Sequence, residues 1–86
     1  MTRTDLTTDL YQVNLWQQQH WRRADRFYSC ELCQDLFGHW TVRQRWGGAF
    51  TGKGGHQEQA CDSYEEALQR FNAVSKRRQQ RGYSVW

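Results

Sequence analysis

From His39 to Trp46 the chain alternates, with Trp40, Val42, Gln44 and Trp46 on one side and His39, Thr41, Arg43 and Arg45 on the other. A period of two predicts a strand with one packed and one solvated face. Phe27–Cys33 (FYSCELC) predicts a second strand, with Tyr28, Cys30 and Leu32 sharing a face. Between them Gln34–Gly38 (QDLFG) reads as a turn whose Leu36 and Phe37 are expected to tuck onto the core. So short a connection makes the two strands antiparallel neighbours. Upstream, Leu10–Trp16 predicts a further strand, with Tyr11, Val13 and Leu15 opposite Gln12 and Asn14. Gln17–Asp25 (QQQHWRRAD) reads as an exposed polar connection, with a short helix as the alternative. His56–Cys61 is the weakest strand candidate, because glutamine and glutamate are poor strand formers. Residues 1–9 are rich in Thr and Asp and are expected to be a flexible tail.

The period changes near the C-terminal end. Tyr64, Ala67, Leu68, Phe71 and Val74 recur at three- and four-residue steps, which predicts a helix from Tyr64 to Arg81 with one buried stripe. Ser63 and Glu66 have capping-box spacing at its start. Glu65 and Glu66 lie at the positive end of the helix dipole, and Lys76, Arg77, Arg78 and Arg81 at the negative end. Gly82 is the natural stop, and the following YSVW is expected to return as a short edge strand. These elements make an α+β fold: a small antiparallel β-sheet with one C-terminal α-helix packed on it, in a single domain over residues 10–86.

Composition narrows this further. Eighty-six residues support one modest core, and five tryptophans, four tyrosines and four phenylalanines must supply most of it, since Ile is absent. A net charge of +3 suits an anionic partner without approaching the charge density of histone-like proteins. No apolar run is long enough to cross a membrane, and the first ten residues lack a secretory apolar stretch. A cytoplasmic protein is expected, and three cysteines argue against a disulfide framework.

Five of the seven glycines fall within Gly47–Gly55, immediately after Trp46. An indole at the mouth of a backbone-exposing loop, with Arg43, Arg45 and Lys53 close in sequence, has the components of a nucleic-acid contact. Two roles are open to Trp46: stacking on a sugar or base, and plugging the core. The two arginines are equally open between phosphate binding and a solubilising face. Lys53 among glycines suits an anion-binding loop but lacks the spacing of a nucleotide-hydrolysing one. The KRRQQR run at Lys76–Arg81 is a helix-end charge set and also a candidate phosphate footprint. Cys30 and Cys33 form a CxxC, but alternation sends them to opposite faces, so no metal site is expected. No cofactor, small-molecule substrate, membrane contact or catalytic constellation is expected either.

Taken in order, several of these residues resemble a known family. Arg26-Phe27-Tyr28, Leu36-Phe37-Gly38, Trp40 with Val42, Trp46-Gly47, the helix start Ser63–Leu68 with Phe71, and Arg78–Tyr83 resemble the WGR domain. That domain occurs in DNA-dependent poly(ADP-ribose) polymerases and as a small stand-alone bacterial protein. The resemblance implies a non-catalytic module that binds duplex DNA at an end or break, with the motif tryptophan against the terminal sugar. On this reading Trp46, Gly47, Arg43, Arg45, Lys53 and Arg26 form the nucleic-acid-binding set. Two positions depart from the family. Gly48 stands where the motif has arginine, and Phe50 where glycine is usual. Losing a guanidinium is no conservative change, so a protein–protein interaction module on the same face is the alternative.

Overall fold

The computed structural model describes residues 11–48 and 54–86. The expected tail at 1–9, and Lys53 and Phe50 within the glycine-rich stretch, lie outside the described residues. Five antiparallel strands form one sheet: β1 (Gln17–Arg23), β2 (Arg26–Gln34), β3 (Trp40–Gly48), β4 (Gly54–Ala60) and β5 (Ser84–Val85), in the order β4-β3-β2-β1-β5. The helix α1 (Tyr64–Gln80) carries the chain across one face of the sheet, from the β4 edge to the β5 edge. This is the α+β architecture that the hydrophobic pattern predicts.

Under α1 lie Trp21, Cys30, Leu32 and Val42 from the sheet, packed against Ala67 and Phe71 of the helix. Tyr64, Leu68 and Val74 complete the helical stripe at partial burial. At the start of the helix, Tyr64 meets Trp40 edge-on at 5.0 Å between ring centroids. Ser63 Oγ accepts the Glu66 N–H, while the Glu66 carboxylate accepts the N–H of Asp62 rather than that of Ser63 itself. That Asp62 bond, then the Arg70 side chain, holds the Glu66 carboxyl below the usual glutamate range. Its contribution is therefore present at neutral pH and fades as pH falls through the lowered value. Ser63→Ala is expected to destabilise the protein by about 1 kcal/mol, read as a lower urea midpoint with an unchanged slope. At the far end Gly82 takes φ +86°, its N–H donates to Gln79 O, and Tyr83 N–H donates to Arg78 O. Those two bonds make a Schellman stop, which turns the chain into β5.

Three expectations fail here. Residues 10–16 are not a strand: Leu10 lies outside the described residues, and Val13–Leu15 form a single 3-10 turn. The Gln34 side chain is the cause, since its Oε1 accepts both the Gln12 N–H and the Trp16 indole N–H and so curls the segment. The supposed connection at 17–25 is instead β1, flanked by β2 on one side and β5 on the other. Its strand character comes from backbone pairing on both edges, and one side chain, the fully buried Trp21, joins it to the core. Leu36 and Phe37 do not tuck in; they are 89% and 76% exposed. Asp35 Oδ1 accepts the N–H groups of Phe37 and His39, and this fixed turn holds both side chains outward. The β1–β2 hairpin closes through Ala24 and Asp25, with Ala24 at φ 53°, a backbone region that non-glycine residues enter with strain.

No described helix is long and apolar enough to cross a membrane.

Candidate nucleic-acid interface

Strand parity decides which side chains can meet. On the α1 side, β2 presents Arg26, Tyr28 and Cys30, and β3 presents Gly48, Trp46 and Gln44 directly across from them. Trp46 stacks on Tyr28, with ring centroids 5.8 Å apart and planes at 18°. On its other flank Trp46 pairs with Gly55 of β4. A Cβ at Gly55 would lie 2.8 Å from Trp46 Cζ2, and one at Gly54 would collide with the Trp46 carbonyl oxygen. Two of the glycines are thus explained by close approach of β4 to Trp46, to its indole at Gly55 and to its backbone at Gly54. Trp46 keeps 36% of its surface exposed, so it neither plugs the core nor stands free: one side of the ring is propped and the remainder faces outward.

Tyr28 is the hub of this cluster. Its hydroxyl donates to Gln44 Oε1, Tyr83 meets it edge-on at 6.3 Å, and the Arg78 guanidinium carbon lies 4.1 Å from its ring centroid. Burial pushes the Tyr28 phenol up, with Arg78 opposing. Arg78 Nε is buried with no hydrogen-bond partner among the described residues, and the Tyr28 and Tyr83 rings lie 4.1 and 5.3 Å from the guanidinium carbon, at cation–π distance. The last turns of α1 and the end of the sheet enclose a groove of about 490 Å³, lined by Tyr28, Trp46 and Tyr83 together with Arg26, Arg70, Arg77 and Arg78. An adjoining cavity of about 430 Å³ opens at the sheet's end and shares Arg26, Trp46 and Tyr83 while adding Phe27, Gly47, Gly48, Gly54 and one carboxylate, Asp25.

The candidate residues therefore separate. Trp46, Gly47 and Arg26 come together at this end of the groove side. Arg43 and Arg45 project from the opposite face, where Arg43 pairs with Glu31 at 3.6 Å and with Glu58 at 3.3 Å. The charges that join Trp46 come from the helix instead, from Arg70, Arg77 and Arg78. The KRRQQR run signals Arg77 and Arg78 in sequence but not Arg70, and only the path of α1 brings the three beside the indole.

Cys30 packs in the core under α1, and Cys33 is buried on the other side, next to Glu31 and Arg43. Burial pushes the Cys30 thiol up to about 12 and the Cys33 thiol up to about 11, far from the thiolate state that metal ligation or nucleophilic attack requires. Among the described residues no group of three or more His, Cys, Asp or Glu gathers at metal-binding distances.

The site thus combines an aromatic platform, guanidinium groups and a glycine-lined cavity, the components with which stacking and charge recognise an anion. The profile of the WGR domain family matches residues 11–86, nearly the whole chain, and the protein belongs to that family. WGR domains are nucleic-acid-binding modules of poly(ADP-ribose)-polymerase-like proteins, and binding rather than catalysis is their role. Comparison with curated proteins and with solved structures returned no match.

Proposed function

We propose that this protein binds duplex DNA at an end or break through the groove between α1 and the sheet, without catalysing a reaction. The terminal sugar or base rests on the exposed part of Trp46, and the phosphates meet Arg26, Arg77 and Arg78. Lys53 is a further phosphate ligand in this proposal. One observation carries the reading despite the missing motif arginine. Gly48, which stands where the motif has arginine, is paired directly across the strands with Arg26. Cross-strand neighbours have Cβ positions roughly 5 Å apart on the same face, so a guanidinium from β2 serves the place where one from β3 is absent. Arg26 is exposed and lines both cavities with Trp46.

The protein-interaction alternative draws on Gly48 itself, since an uncharged motif suits a partner without phosphates. Salt separates the two: binding through several phosphates weakens steeply with ionic strength, and an apolar contact does not. The test is a fluorescence titration with a 5′-phosphorylated blunt duplex and a closed dumbbell of equal length, at two salt concentrations. Tighter, salt-sensitive binding to the open duplex is expected. Trp46→Ala is expected to weaken it by at least about 1 kcal/mol with the fold retained. Equal affinity for the dumbbell, or unchanged affinity in folded Trp46→Ala, would remove the assignment.

A further inference from the structure

The face of the sheet turned away from α1 is covered at its far end, where Cys33 and Thr41 are buried, while toward the Trp46 end its side chains fall into exposed rows set by the strand register. Nearest the Trp46 end, Arg22, Phe27, Gly47 and Gly54 stand side by side across four strands. The next row holds His20, Ser29, Arg45 and His56. Trp86 extends it on the β5 side, where its N–H donates to His20 O. The third row contains the face's acids, Glu31 and Glu58, and both are held by Arg43.

Charge and aromatic surface are therefore distributed unevenly. The first two rows contain Arg22 and Arg45 and no carboxylate. Arg45 is exposed and forms no ion pair among the described residues. The Arg22 guanidinium carbon lies 4.7 Å from the centroid of the Trp86 ring system, and Trp86 itself is 71% exposed. A shallow depression of about 360 Å³ runs between the second and third rows, past His20, Ser29, Arg45 and His56.

We propose that this open face binds single-stranded DNA, as the unpaired tail of a duplex whose end is held at Trp46. The inference rests on the reading of the Trp46 groove given above. Exposed rings on a sheet, interleaved with cations, are a stacking platform for bases beside contacts for the backbone. Four inter-strand steps of about 4.8 Å give the second row a length of roughly 19 Å, and four-stranded sheets accept two or three stacked bases on a comparable surface. Glu31 and Glu58 border the same depression but are paired with Arg43, which leaves Arg22 and Arg45 as the cations to which a phosphate backbone brings counter-charge. The two sites are also continuous. Phe27 and Gly47 belong to the first row and to the cavity that contains Trp46, where Asp25 is offset by Arg26, so a strand leaving the terminus meets Phe27 and then the second row.

The experiment compares, by fluorescence anisotropy on the full chain, a blunt duplex, the same duplex with a four-nucleotide overhang, and a free oligothymidylate. The unmodified protein is expected to bind the tailed duplex about tenfold more tightly than the blunt one, as one or two stacked bases would give. Trp86→Ala with Arg22→Gln should abolish that increment and leave the blunt duplex unaffected, and both side chains are exposed, so folding should survive. Trp46→Ala should weaken both duplexes. Equal affinity for tailed and blunt duplexes overturns the proposal, as does an increment that survives the double variant, or no binding to any of the three probes. If neither duplex binds but oligothymidylate does, and the double variant loses it, the open face stands and the terminus reading falls.

Discussion

Trp21→Ala is expected to destabilise the protein by about 3–5 kcal/mol, a large share of the total of about 5–15 kcal/mol available to a domain of this kind. Trp21 has no exposed surface, meets Tyr28 edge-on at 6.2 Å, and is the side chain through which β1 joins the core under α1. Its ring is the largest fully buried side chain, so truncation leaves a cavity that the surrounding core fills only in part. Its indole N–H is buried with no hydrogen-bond partner among the described residues, so Trp21→Phe should cost much less, keeping most of the ring while removing that donor. Chemical denaturation followed by circular dichroism distinguishes the two variants. A Trp21→Ala protein as stable as the parent would mean that β1 is not held by this contact. Because Trp21 also supports Tyr28, and Tyr28 supports Trp46, the same substitution should disorder the groove before the protein unfolds completely.

The second large effect falls on binding. Arg77→Gln combined with Arg78→Gln is expected to weaken the interaction with a duplex end by about 3 kcal/mol, from roughly 1.5–3 kcal/mol per charge-assisted hydrogen bond with incomplete additivity. It should also flatten the dependence of log affinity on log salt by about two phosphate contacts, near 0.9 each. The slope is the more telling readout, because it counts charges and does not respond to a merely loosened fold. Losing the Arg78 contact with Tyr28 should cost about 0.5–1 kcal/mol of stability, which leaves a folded protein to titrate. An unchanged salt slope would mean that these arginines do not meet the backbone. Arg43→Gln is the natural comparison, since Arg43 already pairs with two carboxylates on the other face.

How much of this was legible beforehand follows from where each signal resides. The helix and its stripe were legible because a 3.6-residue period, Ser63 and Gly82 all act within the segment itself. The strands β2 and β3 were legible because alternation and a short turn between them are equally local. The strand β1 was not, since QQQHWRR has one apolar side chain and owes its extended form to pairing with β2 and with β5 at the far end of the chain, which no period in its own side chains reveals. The 3-10 turn at Val13–Leu15 was hidden for a related reason: it is shaped by Gln34, about twenty residues later in the chain. Family resemblance pointed to Trp46, and alternation already set Arg43 and Arg45 on the side away from it.

What the sequence by itself determined is the identity of the elements with internal periodicity, the antiparallel β2–β3 pair, and the family to which the chain belongs. These depend on side chains a few residues apart, whose relative directions follow from backbone geometry alone. Only the tertiary structure decided how the cations divide between two faces, which aromatic rings stack, and that Arg26 stands across from Gly48. Those relations depend on strand register and on the course of α1 over the sheet, which bring together residues that no local pattern connects.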